Sequence, residues 1–209
     1  MNSPIPILYS FRRCPYAMRA RMALAVGGIE VEHREVDLKE RPDELYAASA
    51  KGTVPVVVLP DDSILDESLD VMRWALAQSD PEAWLPRDAA EEEDARSLLA
   101  RNDCEFKHHL DRYKYATRYE GVDPEEHRAA ASLILQDLDA RLAESGFLMG
   151  QRFTYVDAAV APFVRQFAFA DKTWFDERPW PHLHAWLEAF LASPRFHGIM
   201  QKHEPWKPD

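Results

Sequence analysis

Hydrophobic and polar positions follow two different rules along the chain. Up to about residue 80, short apolar runs of strand length alternate with stretches of helical period; past about residue 88 only the helical period persists. Ile5 to Ser10 fits a central strand, and after Phe11-Arg12-Arg13-Cys14 a helical pattern begins at Pro15, a residue suited to a first helical position. Met18, Met22, Leu24 and Ala25 supply its predicted apolar face, Arg19 and Arg21 are expected to reach solvent, and Gly27-Gly28 ends it. Val31 to Leu38 alternates and predicts a second strand, half buried or at an edge, while Pro42 to Ala48 is helix-like. A strand, helix, strand unit of this kind crosses over right-handed. Lys51-Gly52-Thr53-Val54-Pro55 then turns into a β-branched strand ending at Leu59. Asp61-Asp62 makes a tight turn, and Ser63 to Leu65 returns as a hairpin. Leu69 to Ala77 carries Leu69, Met72, Ala75 and Leu76 on one helical face.

Gln78 to Asp88, with Pro81 and Pro86, predicts the end of a first domain. Everything after it reads as helix. Glu91-Glu92-Glu93-Asp94 loads a first turn with the charge a helix dipole favours, and that helix is expected to run through Leu98, Leu99, Asn102, Cys104 and Phe106 toward Tyr113. Pro124-Glu125-Glu126 opens another, with core spacing at Ala131, Ile134, Leu135, Leu138 and Leu142 and a stop at Gly146. Thr154 and Asp157 make an acidic capping box ahead of Ala158 to Phe169, a structural role for Asp157. Trp174, Phe175 and Trp180 fall in a predicted loop beside Pro179 and Pro181, followed by a helix bearing Leu183, Trp186, Leu187, Phe190 and Leu191. Pro194 to Asp209 reads as a short helix and polar tail. The expected organisation is a domain over 1–80, a linker over 81–88 and an all-helical domain over 89–209.

With 209 residues, 46% hydrophobic and 29% charged, the chain can bury one large or two small cores, which argues against disorder. A formal net charge of −11 argues against a nucleic-acid partner, whose phosphates need a basic face, and favours a small-molecule or protein partner. Met1 to Pro6 lacks the basic and apolar blocks of a signal peptide, and no apolar run approaches membrane-spanning length. A cytoplasmic protein with no membrane partner is expected. The two cysteines, Cys14 and Cys104, lie far apart without metal-type spacing, suggesting neither a disulfide framework nor a zinc site.

Cys14 directly precedes Pro15, which places a thiol at a helix N-terminus. The orphan N–H groups and the positive end of the dipole stabilise an anion there, so Cys14 is expected to ionise more readily than a free cysteine, and the thiolate is the nucleophile. Arg12 and Arg13 add positive charge. Val54-Pro55 is open: the pattern alone favours a trans proline at a strand's first residue, since about one X–Pro bond in twenty is cis. A cis bond would instead expose the Val54 N–H and C=O for pairing with an extended peptide ligand. Ser68 either caps its helix or helps the helix N-terminus receive a carboxylate. Cys104, among helical residues, reads as a small buried hydrophobe. Lys107, His108, His109, Arg112, Tyr113, Lys114 and Tyr115 form a basic and aromatic patch, either the lining of a substrate pocket or a helix end whose cations answer the dipole. His108 and His109 are adjacent, so they are expected to point apart and make poor joint ligands; no metal is expected.

Strand, Cys14-Pro15-Tyr16-Ala17, helix, strand, Val54-Pro55, hairpin, Glu67-Ser68, helix, then an all-helical half with Gly150 and Thr154-x-x-Asp157: this order resembles the glutathione transferase superfamily over essentially the whole chain. Its cysteine-containing members, the omega-like transferases and two-domain glutaredoxins, look nearest. The resemblance implies an α/β, thioredoxin-like N-terminal domain that binds glutathione as co-substrate, followed by an all-helical domain that shapes the second substrate's pocket. It implies that Cys14 forms a mixed disulfide with glutathione and that Val54, ahead of a cis Pro55, pairs its backbone with the cysteinyl part. Glu67 and Ser68 would hold the γ-glutamyl amine and carboxylate, with Lys51 near a glutathione carboxylate. Tyr16, Asp103, Lys107, Tyr113, Tyr115 and Trp174 are the residues offered for the acceptor pocket. A homodimer is implied, although two-domain glutaredoxins can be monomers.

Ala17 stands where a dithiol glutaredoxin has its second cysteine, so a monothiol route with a second glutathione as resolving agent is expected. The expected activity is a glutathione-dependent thiol transferase or reductase acting on a glutathionylated substrate. The alternatives are a transferase that conjugates electrophiles, with Tyr9, Ser10 or Tyr16 as a nearby hydroxyl, or a non-enzymatic binding protein of the same fold.

Overall fold

The computed structural model describes residues 5–208; Asp209 and Met1 to Pro4, part of the stretch read above for a leader, lie outside the described residues. Two compact units divide the chain. One comprises the residues up to Leu85 together with those from Ser193 onward, and the other is Pro86–Ala192.

In the first unit the apolar runs form a four-stranded sheet of β1 (Ile7–Ser10), β2 (Glu32–Glu35), β3 (Val56–Val58) and β4 (Ile64–Leu65), in the order β2-β1-β3-β4. β1 runs parallel to β2, with Ile7 opposite Glu32, and antiparallel to β3, with Tyr9 opposite Val56. β2 is the edge strand its alternation predicted. α1 (Pro15–Val26) connects β1 to β2, α2 (Asp43–Ala48) and α3 (Ser68–Gln78) follow, and α1 packs on α3. Leu8, Met18, Met22, Val56, Val57, Val71 and Met72 are buried between sheet and helices.

Three expectations change here. Arg19 and Arg21 do not reach solvent: they are 0% and 7% exposed. α1 is covered by α3 and also by α10 (Pro194–Ile199), so no solvent face is left to them. Second, the stretch expected as a linker over 81–88 is partly built into this unit. Asp80 Oδ1 and Oδ2 accept from Trp84 N (2.7 Å) and Leu85 N (2.9 Å), and Trp84 is buried under the Arg195 guanidinium. Third, the tail from Ser193 belongs with the first unit rather than the helical one. Trp206 N donates to Glu35 O at 2.8 Å, and the Arg34 guanidinium lies 4.2 Å from the Trp206 ring.

The second unit is helical throughout: α4 (Ala89–Arg101), α5 (Lys107–Lys114), α6 (Pro124–Ser145), α7 (Tyr155–Ala168), α8 (Lys172–Asp176) and α9 (Pro181–Ala192). The Asp88 carboxylate caps α4 by accepting from Ala90 N and Glu91 N. The single helix expected as far as Tyr113 is interrupted by a π-helical turn, Asn102–Phe106, whose extra residue shifts the helical phase. Asn102 and Phe106 take the inward positions in that turn, and Cys104 is exposed rather than buried. Trp174 and Phe175, expected in a loop, lie in α8, which Asp171 caps through Trp174 N at 3.0 Å. Thr154 and Asp157 do form the capping box. Asp157 also accepts from Leu148 N (2.9 Å) and Trp186 Nε1 (3.0 Å), so it ties three segments together; burial pushes its carboxyl pKa up against those donors. Among the described residues no helix is long and apolar enough to cross a membrane.

Candidate active site

Cys14 is the N-cap of α1, as its place before Pro15 predicted. Its backbone N donates to Phe11 O (3.0 Å) and its carbonyl accepts from Met18 N (2.9 Å), which fixes the residue at the mouth of the helix. Its Sγ lies 3.6 Å from Val54 O. The Val54–Pro55 bond is cis, against the pattern's preference and as the resemblance implied. Gly52 sets up this turn at φ +59°, with the Tyr46 ring so close that a Cβ would lie 2.2 Å from its Cε1.

Cys14, Tyr16, Val54, Pro55, Glu67 and Ser68 line one cavity of about 370 Å³, a size that suits a small-molecule site. Thr53, Asp66, Leu38 and Arg41 complete its wall and were not anticipated from the sequence. Lys51 is not a lining residue. Its Nζ instead bridges Asp66 Oδ2 (3.2 Å) and Glu67 Oε1, and those bonds, Glu67's first, raise its pKa. Asp66, held below the usual carboxylate range by the Ser49 hydroxyl and by Lys51, is the acidic neighbour that sequence reasoning missed. Ser68 is not the cap expected: Glu67 occupies that position, and the buried Ser68 hydroxyl accepts from Arg19 Nη1 at 3.3 Å. α3 therefore begins in the cavity wall, and its first N–H groups have no acceptor within the helix, an arrangement that suits a carboxylate.

The loop bearing Cys14 is held from below by buried charge. Arg21 donates to Ser10 Oγ, Phe11 O (3.3 Å) and Arg12 O (2.7 Å), and through Nε to Ile199 O (3.0 Å). Burial lowers its pKa to about 10, opposed by the negative charges of Glu35 and Cys14. Arg12 N donates to Glu35 Oε1 at 2.7 Å. The sequence did carry a signal for the two buried arginines: α1 contains no other charged residue and is apolar all round, the mark of a helix without a solvent face. Two of the three candidate hydroxyls are committed elsewhere, since Tyr9 Oη accepts from Arg34 Nη1 (2.7 Å) and Ser10 Oγ from Arg21.

Residues 8–84 match the glutathione S-transferase N-terminal domain and residues 93–189 the glutathione S-transferase C-terminal domain. The chain belongs to the glutathione S-transferase superfamily. It is 27% identical over 172 residues to glutathione S-transferase U28 of Arabidopsis thaliana, covering 82% of this chain and 76% of that one. It is 24% identical over 213 residues to a probable maleylacetoacetate isomerase of Caenorhabditis elegans, covering 98% and 97%. A solved glutathione transferase from Pseudomonas putida, with one glutathione disulfide bound per subunit, superposes with a TM-score of 0.82 at 18% identity over 94% of this chain and 91% of that chain.

In the helical unit, the residues offered for an acceptor pocket separate. Tyr113 and Trp174 come together, both against Phe167, with the Arg128 guanidinium 5.8 and 4.6 Å from their rings. Tyr115 turns to other partners, its Oη accepting from Gln166 Nε2 (3.1 Å) and its ring facing Arg118. Lys107 pairs with Asp111, and Asp103 accepts from Asn102 Nδ2 at 2.8 Å. Arg128 and Phe167 were missed, being distant in sequence from the patch they complete. Tyr16 lies in the Cys14 cavity, in the other unit.

Proposed function

We propose that this transferase is a cysteine-type member that carries out glutathione-dependent thiol transfer or reduction through Cys14. The observation that carries the reading is Cys14 Sγ at 3.6 Å from Val54 O, in one cavity with the cis Pro55, Glu67 and Ser68. In this reading Val54 pairs with the cysteinyl backbone of glutathione, the start of α3 with Ser68 receives the γ-glutamyl carboxylate, and Glu67 and Asp66 face its amine. The Cys14 thiolate attacks the glutathione sulfur of a glutathionyl mixed disulfide. The substrate's S–S bond breaks, its reduced thiol leaves, and Cys14 is left disulfide-bonded to glutathione. A second glutathione thiolate then attacks that disulfide, giving glutathione disulfide and free Cys14. Ala17, fully buried beside Cys14, supplies no resolving thiol. Lys51 acts through its ion pairs, holding Glu67 and Asp66 in place.

A second reading, conjugation of electrophiles, is favoured by the name of the Arabidopsis relative. Tyr16 is then the hydroxyl on which it depends, because of the three candidates it is the one that lines the cavity. Assaying Cys14→Ser and Tyr16→Phe with a glutathionyl mixed disulfide and with an aryl halide separates the two. Thiol transfer requires that Cys14→Ser abolish turnover of the mixed disulfide; full reductase activity in that variant sinks it. Aryl-halide turnover that survives Cys14→Ser and falls in Tyr16→Phe would establish conjugation.

A further inference from the structure

Three imidazoles meet in the helical unit. His108 and His109 lie on α5 and His127 in the first turns of α6, and a ligand nitrogen from each lies within 4.8 Å of the other two. His109 Nδ1 and His127 Nδ1 are 2.8 Å apart, and the ring centroids of the trio are 5.0 to 5.6 Å from one another. The expectation that adjacent histidines diverge holds for one helix alone. Here α6 places His127 against the pair, and both rings turn to it. His108 is exposed and the other two half-buried, so a hydrated ion can reach them.

We propose that His108, His109 and His127 form a binding site for a divalent first-row transition metal ion such as Ni²⁺ or Zn²⁺, clipping α5 to α6. Neutral imidazole nitrogens are the ligands these ions prefer. Burial, with neighbouring positive charge, pushes the His108 and His109 pKa values down. With metal–nitrogen bonds of about 2.0–2.1 Å, two ligands at a right angle are about 2.9 Å apart and two tetrahedral ones about 3.4 Å. The 2.8 Å spacing therefore needs little or no opening. With a metal bound, each ring carries its proton on Nε2, so that both Nδ1 lone pairs face the ion. Arg112 is the competitor, its Nη1 being 2.9 Å from His108 Nδ1. Glu105 and Asp111 are the acidic groups whose charge is felt at His109 and His108, and they favour a cation.

The test is calorimetric titration of Ni²⁺, and separately Zn²⁺, into the full chain purified without a polyhistidine tag. Cys14→Ser and Cys104→Ser in the background remove thiolate ligands. A saturable one-to-one isotherm is expected, weakened at least about tenfold by His109→Gln or His127→Gln. Arg112→Gln should tighten it, a gain that misfolding cannot produce, and Ni²⁺ should raise the melting temperature of the parent more than that of His127→Gln. Absence of saturable binding, or an affinity blind to all three substitutions, overturns the proposal.

Discussion

Replacing Arg21 with methionine tests whether the Cys14 loop depends on buried charge. The side chains are similar in volume, so the change removes the guanidinium and leaves the packing of α1 largely in place. Three good hydrogen bonds are lost, to Ile199 O, Arg12 O and Ser10 Oγ, together with a weaker one to Phe11 O. Bonds from a charged donor contribute about 1.5–3 kcal/mol each, which puts the gross loss at roughly 6 kcal/mol. Methionine also relieves the cost of burying the cation, and the fall of its pKa to about 10 sets that at about 3 kcal/mol. The expected net destabilisation is about 3 kcal/mol, read as a lower urea midpoint. The loop carbonyls lose their anchor at the same time, so alkylation of Cys14 by iodoacetamide should change in rate and in pH dependence. Arg21→Lys, which keeps the charge and loses the fork, should fall between the two. A stability change below about 0.5 kcal/mol together with an unaltered alkylation profile would refute the argument.

Ser68→Ala removes a hydroxyl from the cavity wall at the start of α3 and should weaken glutathione binding by roughly five- to tenfold, about 1–1.5 kcal/mol, by calorimetry; a change under twofold would remove Ser68 from the site. Asp157→Ala strips a buried acceptor from Leu148 N, Thr154 and Trp186 Nε1 and should destabilise the helical unit by about 3–5 kcal/mol, seen as a large drop in melting temperature. Glu35 predicts a pH dependence. Burial pushes its pKa up, but the bonds from His33 and Arg12 N outweigh this and hold it below the usual value. A carboxylate depressed in the folded state contributes stability above the unfolded pKa of about 4.3, and that contribution is lost as pH falls through the lower folded value. The melting-temperature gap between the parent and Glu35→Gln should therefore be widest above pH 5 and close toward pH 3; a gap constant over that range would contradict it.

What could be read in advance was local chemistry. Cys14 before Pro15 places a thiol at a helix start whatever surrounds it, and Thr154 with Asp157 closes a capping box within one turn, so both stand where the sequence put them. Several of the misses share one cause, because each depends on an element beyond the residue's own helix or turn. Arg19 and Arg21 looked solvent-bound because their second cover, α10, lies more than 160 residues away. The same return carries Trp206 to the β2 edge, so the tail left the helical domain to which continuity had assigned it. His108 and His109 looked divergent because α6, with His127, was not part of that reasoning. Lys51 was placed near a ligand carboxylate by the resemblance, and the structure pairs it with Asp66 and Glu67, brought beside it by the hairpin. A charged side chain therefore has to be read with every carboxylate the topology can bring within about 4 Å before it is offered to a ligand. By that standard Ser68 and the N-terminus of α3 are the anchor we propose for glutathione's carboxylate.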